Sequence, residues 1–192
     1  FMSCQVSVAD TVRNAGRLVK EGRAQAVKLE GGADFCDEVR ALVRASIPVM
    51  GHLGLTPQSV NALGGYKVQG KSLAAAQKLL DDARAVQDAG AFSLVLECVP
   101  AALAARITRE LEVPVIGIGA GPDCDGQVLV WQDMLGLSDG GTPKFVKRFG
   151  AVGEAARAAF TAYAREVKQG SYPAQEHCYG MEDEAELLEK LY

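Results

Sequence analysis

Short apolar runs alternate with longer stretches of helical periodicity along this chain, and the alternation predicts its elements. Ser7-Val8-Ala9-Asp10 has the S-x-x-D form of a capping box and opens a helix that ends near Gly22. Ala26 to Glu30 reads as a strand closed by Gly31-Gly32, and a helix follows from about Asp34 to Ala45, stopped ahead of Pro48. Pro48 to Leu53 is the next strand, and Thr56-Pro57-Gln58 starts a short helical turn with proline in its first turn. Gly64 to Gly70 is a long flexible loop, after which Ser72 caps an alanine-rich helix ending at Gly90. Ser93 to Cys98 is a strand, Pro100 to about Leu111 a helix, and Val115 to Gly119 another strand. Lys144-Phe145-Val146 is a candidate for one more strand, ahead of a helix from about Gly153 to Gln169. The acidic stretch Met181 to Tyr192 predicts a peripheral helix.

Strand and helix alternate without hairpin signals, which predicts a parallel sheet. The strands are short and apolar on both faces, as strands covered on both sides are. An open doubly wound sheet and a barrel both fit this pattern. A complete barrel needs eight strands and about 250 residues, so the pattern matches the later part of a barrel. The chain also opens at Phe1-Met2-Ser3 in mid-pattern, as an interior fragment would.

Composition narrows the class. The 192 residues are 48% hydrophobic and 23% charged, enough for one core and short for two domains of typical size. The net charge of −4 offers no broad basic field for a phosphate backbone, which argues against nucleic acid. No apolar run nears the roughly 20 residues of a membrane span, and no signal segment opens the chain. Five cysteines at wide spacing, without a C-x-x-C, suit a reduced cytoplasmic protein.

Several residues do not suit a plain core. Lys28 and Glu30 are two apart and share one strand face, with Val27 and Leu29 on the other. Two charges on a central strand are costly to bury unless paired, so they bridge each other, lie at a solvated strand end, or face a site at the strand's C-terminal end. There a lysine can neutralise a substrate oxyanion, and a carboxylate can ligate a hard cation. Glu97 ends the run Ser93-Leu94-Val95-Leu96, and such apolar company favours a carboxylate's taking up a proton, as a general base must. A solvated strand-end acid is its plain structural reading.

His52 lies where its strand ends, as a structural hydrogen-bonding residue or as a substrate contact. With His177 the only other histidine, a multi-histidine zinc site is unavailable, and any metal should be hard and oxygen-bound. Gly117, Gly119 and Gly121 fall on one face by strand parity, making room or forming an anion nest; Pro122 breaks the dinucleotide fingerprint. Tyr66 and Lys67 in the loop are candidates for contact with substrate or a pterin ring.

Six stretches carry a resemblance to a known family. They are Val27 to Gly32, Gly51 to Gln58, Gly64 to Gly70, Val95 to Pro100, Ile116 to Gly121 and Pro143-Lys144-Phe145. In order and spacing they closely resemble ketopantoate hydroxymethyltransferase, from Phe1 to about His177. The resemblance implies an (α/β) fold, a (β/α)8 TIM barrel of the phosphoenolpyruvate/pyruvate superfamily type, without its N-terminal strands. Residues 1–177 would be the partial barrel and 178–192 an acidic tail.

It further implies transfer of a hydroxymethyl group from 5,10-methylenetetrahydrofolate to 2-oxoisovalerate, a 2-oxo acid, with Mg2+, in a homodecamer. By motif position Glu30 matches the metal ligand, Lys28 the substrate-binding lysine and Glu97 the proton acceptor. The family's two metal-binding aspartates have no counterpart, so an inactive truncated chain is one alternative. A lyase or mutase of the isocitrate lyase and phosphoenolpyruvate mutase kind is another. None of the five cysteines has the Lys- and Gly-flanked setting of those enzymes' catalytic loop.

Overall fold

A computed structural model describes residues 1–138, 140–181, 183 and 188–190. Five strands form one parallel sheet: β1 (Val27–Glu30), β2 (Val49–Gly54), β3 (Ser93–Glu97), β4 (Val115–Ile118) and β5 (Gly126–Gln127). They are hydrogen-bonded in the order in which they occur in the chain. A doubly wound sheet reverses its order at a switch point. A sequential order is what a (β/α) barrel uses, so the winding is of the TIM-barrel type.

The helices that connect the strands start and stop where side chains dictate. Ser7 accepts the Asp10 N–H at 3.1 Å and caps α1 (Val8–Lys20). A 3₁₀ turn, Ala33–Phe35, leads into α2 (Cys36–Arg44). Ser72 accepts the Ala75 N–H at 3.2 Å and caps α3 (Leu73–Asp88), and α4 (Ala101–Glu110) follows Pro100. Gly90 follows α3 with φ +101, a conformation that costs glycine little.

Strand parity sorts the side chains. Val27, Leu29, Val49, Leu53, Leu94, Leu96 and Val115 all join the core, with Val39 and Leu42 of α2, Val86 of α3 and Ile107 of α4. Each fully buried residue of this kind contributes about 1.5–3 kcal/mol by leaving water. The opposite face carries Lys28 and Glu30 on β1, Met50 and His52 on β2, and Val95 and Glu97 on β3. The register sets Glu30 beside His52 and Gly54 beside Glu97.

The structure corrects two expectations. Lys144 and Phe145 form a turn, and the fifth strand is Gly126–Gln127. Two residues long, and preceded by loop instead of helix, it had no periodicity to betray it. Strand parity also does not extend past Ile118: Gly119 and Gly121 have φ +64 and +85 and leave the sheet.

The chain comprises two compact units, Phe1–Leu129 with Pro143–Val146, and Val130–Thr142 with Lys147–Tyr192. The second contains α5 (Trp131–Met134) and α6 (Val152–Gln169), which ends at Gly170 in the left-handed conformation. The Ser171 N–H returns to the Glu166 carbonyl at 3.0 Å, a C-terminal cap of the kind glycine permits. The helix expected over Met181 to Tyr192 lies largely outside the described residues. No helix among the described residues is long and apolar enough to cross a membrane.

Candidate active site

The C-terminal ends of β1, β2 and β3 bring three of the four predicted site residues together. His52 is 1% exposed and lies between two carboxylates. Its Nε2 is 3.1 Å from Glu97 Oε2, and its Nδ1 is 3.6 Å from Glu30 Oε1. The first is a hydrogen bond; the second is too long to be one. With Glu97 ionised, the Nε2–H donates and the carboxylate accepts. Nδ1 has no hydrogen-bond partner among the described residues, although it is fully buried. A buried polar atom without a partner is uncommon in a protein interior.

Glu30 is held separately. It is 8% exposed, and its Oε2 accepts the Gln58 N–H at 3.1 Å. Gln58 belongs to the 3₁₀ turn Pro57–Ser59 beyond β2. Lys28 shares the strand face of Glu30 but is exposed, and among the described residues it forms no ion pair. The mutual Lys28–Glu30 bridge that burial rules allow is therefore not formed, and Lys28 stands at a solvated position on the strand face of Glu30.

The backbone around Glu97 is tightly specified. Gly54 has φ +90, and a Cβ there would lie 2.2 Å from the Glu97 carbonyl oxygen. That carbonyl accepts the Leu55 N–H at 2.8 Å. Cys98 adopts φ +50, uncommon for a residue with a side chain, while its N–H donates to the Ile118 carbonyl and its carbonyl accepts from Gln69, both at 2.9 Å. Non-glycine residues held this way cost about 1–3 kcal/mol and concentrate at functional sites. Burial pushes the Cys98 thiol up, and the neighbouring Glu97 charge adds to that, so this cysteine is a poor nucleophile.

The remaining candidates separate from this cluster. Tyr66 and Lys67 are exposed in their loop, which is tied to the site through the Gln69–Cys98 hydrogen bond. The glycine run makes room for protein neighbours: a Cβ would meet Cys124 Sγ at 2.9 Å from Gly117, the Phe145 ring at 2.8 Å from Gly119, and Ala101 at 2.4 Å from Gly121. Sequence reasoning missed Gly54 and Gln58. Both lie in the Gly51-to-Gln58 motif, but one acts through a missing side chain and the other through its backbone.

The donor set tests the implied cation. Among the described residues no three His, Cys, Asp or Glu side chains are arranged to hold a metal ion. Glu30 suits one position of a hard cation, which takes oxygen ligands. The described side chains do not make a whole site.

Parallel strands wound in sequence carry an acid–histidine–acid cluster at their C-terminal ends, the end at which enzymes of this winding place their active sites. Comparison with known proteins gives the family. Residues 1–175 match the family model described as ketopantoate hydroxymethyltransferase. The chain is 59% identical over 192 residues to the 3-methyl-2-oxobutanoate hydroxymethyltransferase of Enterococcus faecalis. It is 58% identical to that of Carboxydothermus hydrogenoformans and 57% to that of Clostridium novyi. Each match covers 100% of this chain and 69% of the relative. The chain belongs to the ketopantoate hydroxymethyltransferase family and is an enzyme of the transferase class. A solved structure from Burkholderia cenocepacia named as a lyase/mutase aligns with a TM-score of 0.42 and 21% identity, over 87% of this chain and 58% of that one. That likeness is too loose to carry an argument.

Proposed function

We propose that the chain forms ketopantoate by transferring a one-carbon unit from 5,10-methylenetetrahydrofolate to 2-oxoisovalerate, with Glu97 as the proton acceptor. The observation that carries this reading is the Glu97–His52 hydrogen bond at the end of β3. It orients a carboxylate that is otherwise flanked by apolar residues, the arrangement a general base needs.

The carboxylate takes the C3 proton of the 2-oxo acid, and the electron pair of that C–H bond moves toward the 2-oxo oxygen. Water takes the methylene from its two folate nitrogens, which take up protons as tetrahydrofolate leaves and formaldehyde remains. The enolate carbon adds to that carbonyl, whose C=O pair becomes the alkoxide and takes up a proton as the new hydroxyl. Lys28, exposed and in no ion pair among the described residues, places positive charge on the same face for the substrate carboxylate or the developing oxyanion. His52 keeps the Glu97 carboxylate aimed and donates to it from Nε2. Glu30 is the residue that would ligate a divalent cation such as Mg2+, whose chemistry when bound is to polarise the 2-oxo acid. Since the described donors are too few for a whole site, no step above depends on that ion. Five free cysteines accord with a reducing, cytoplasmic setting.

The test is exchange of the C3 proton of 2-oxoisovalerate for deuterium, followed by NMR with Mg2+ present. The wild-type chain should exchange it, and Glu97→Gln should lose exchange by about 10²–10⁴-fold, the usual value of a positioned base. The circular dichroism spectrum should not change. Normal exchange in the Gln variant would remove Glu97 from its role.

A further inference from the structure

One buried acid takes no part in this chemistry. Asp82 lies on the buried stripe of α3 with Leu79, Ala83 and Val86, and is 8% exposed. Burying a carboxylate is costly unless its oxygens are hydrogen-bonded. Lys78, one helical turn back, approaches both oxygens at 3.0 and 2.9 Å. Hydrogen bonding to Asp82 holds the Lys78 ammonium above the usual lysine range. The other partner is remote in sequence: the Ala33 N–H donates to Asp82 Oδ1 at 3.0 Å.

Ala33 is the third residue after Glu30, and the two glycines between them are confined from three sides. The Gly31 N–H donates to the His52 carbonyl at 3.1 Å. Gly31 has φ +123, and a Cβ there would lie 2.2 Å from the Phe35 ring. A Cβ on Gly32 would lie 2.3 Å from Cγ of Asp82. The carboxylate therefore fills the space against Gly32 and secures the first amide beyond it. A turn so bounded restricts how the backbone leaves β1 directly after Glu30.

We propose that Asp82 is a positioning residue for Glu30: from α3 it clamps the Gly31–Gly32 turn and so fixes how Glu30 is presented to the 2-oxo acid. This rests on the reading of Glu30 given above, as the residue that would ligate the cation that polarises the 2-oxo acid. A carboxylate that merely stabilised α3 would have no reason to bond an amide 49 positions away or to exclude a Cβ at Gly32. The amide bond needs an acceptor oxygen of this length and does not need the charge, so asparagine should serve in its place.

The experiment has two readouts on the wild-type chain and on Asp82→Ala, Asp82→Asn and Gly32→Ala. The first is amide hydrogen exchange across Gly31 to Phe35, measured by mass spectrometry without metal or substrate. The second is the Kd for 2-oxoisovalerate, measured by titration calorimetry with Mg2+ in excess. Asp82→Ala should raise exchange at Ala33 and weaken binding by about tenfold, the scale of one lost hydrogen bond to a charged group. Asp82→Asn should stay within about twofold of wild type in both. Gly32→Ala should behave like Asp82→Ala, and adding it to Asp82→Ala should do little more, because the clashing carboxylate is gone. If Asp82→Ala frees the Ala33 amide and the Kd does not move, or if that amide stays protected, the proposal is overturned. A wild-type chain that does not bind the 2-oxo acid would instead overturn the reading of the site itself.

Discussion

The two faces of β1, β2 and β3 are built from the same strands and obey opposite rules. On one, Leu29, Leu53, Leu94 and Leu96 pack against α2, α3 and α4, and all four are at most 3% exposed. On the other, Glu30, His52 and Glu97 form a polar row, and Lys28 stands exposed beside it. Alternation along a strand makes this possible, since adjacent residues point in opposite directions. The apolar face supplies the free energy that keeps the polar face in place, where three ionisable groups meet at a cost. Stability and chemistry are thus separated by one residue in sequence, and substitutions on the two faces should separate them experimentally.

The largest effect is expected from the apolar face. Leu96→Ala leaves a cavity between β3 and its helices and should lower stability by about 3 kcal/mol, within the usual range for buried leucine. Urea denaturation measures it, and a loss below 1 kcal/mol would mean that Leu96 is not part of the core. Gly54→Ala should be intermediate and should affect both properties. Its Cβ would press on the Glu97 carbonyl from a backbone at φ +90, at a stability cost of about 1–3 kcal/mol. Because the strand end must shift, deuterium exchange at C3 should fall by up to about a hundredfold. An alanine variant with wild-type exchange would show that the approach of Gly54 does not position Glu97. The smallest change in stability belongs to Lys28→Ala. An exposed residue in no ion pair among the described residues should alter stability by less than about 0.5 kcal/mol. Affinity for 2-oxoisovalerate should nonetheless fall by about tenfold or more, the worth of a hydrogen bond between charged groups. Equal losses in stability and affinity would make Lys28 a structural residue and dissolve the contrast between the faces.

Much of this was legible in the chain. The strands Val27–Glu30, Val49–Gly54, Ser93–Glu97 and Val115–Ile118 all fall within a residue of their expected limits, since each is an apolar run bounded by glycine, proline or a charge. The pairing of Lys28 with Glu30 on one face followed from a period of two, as did the placing of Glu97 at a strand's end. What was not legible has specific causes. Gly126–Gln127 is too short to show a period. Lys144-Phe145-Val146 is apolar enough for a strand, but it turns, and Phe145 packs against Gly119. Asp82 looks like a solvated acid on a helix, although its position between Leu79 and Val86 on the buried stripe was a signal. His52 could be read either as structural or as a ligand, because a histidine's role is set by what its two nitrogens meet.

Local pattern alone determined the element order, the parallel sheet and the residues at strand ends, because backbone period and hydrophobic burial act through neighbours in sequence. The six ordered motifs likewise determined the family. Only the tertiary structure decided the partnerships: that His52 joins Glu97, 45 residues away, and that Asp82 reaches Ala33, 49 away. It also decided that Lys28 and Glu30 stay unpaired with each other. Hydrogen bonds and close approaches depend on register, and on the distance between segments that sequence does not bring together. The chain names the groups that can do chemistry, and the fold chooses which of them meet.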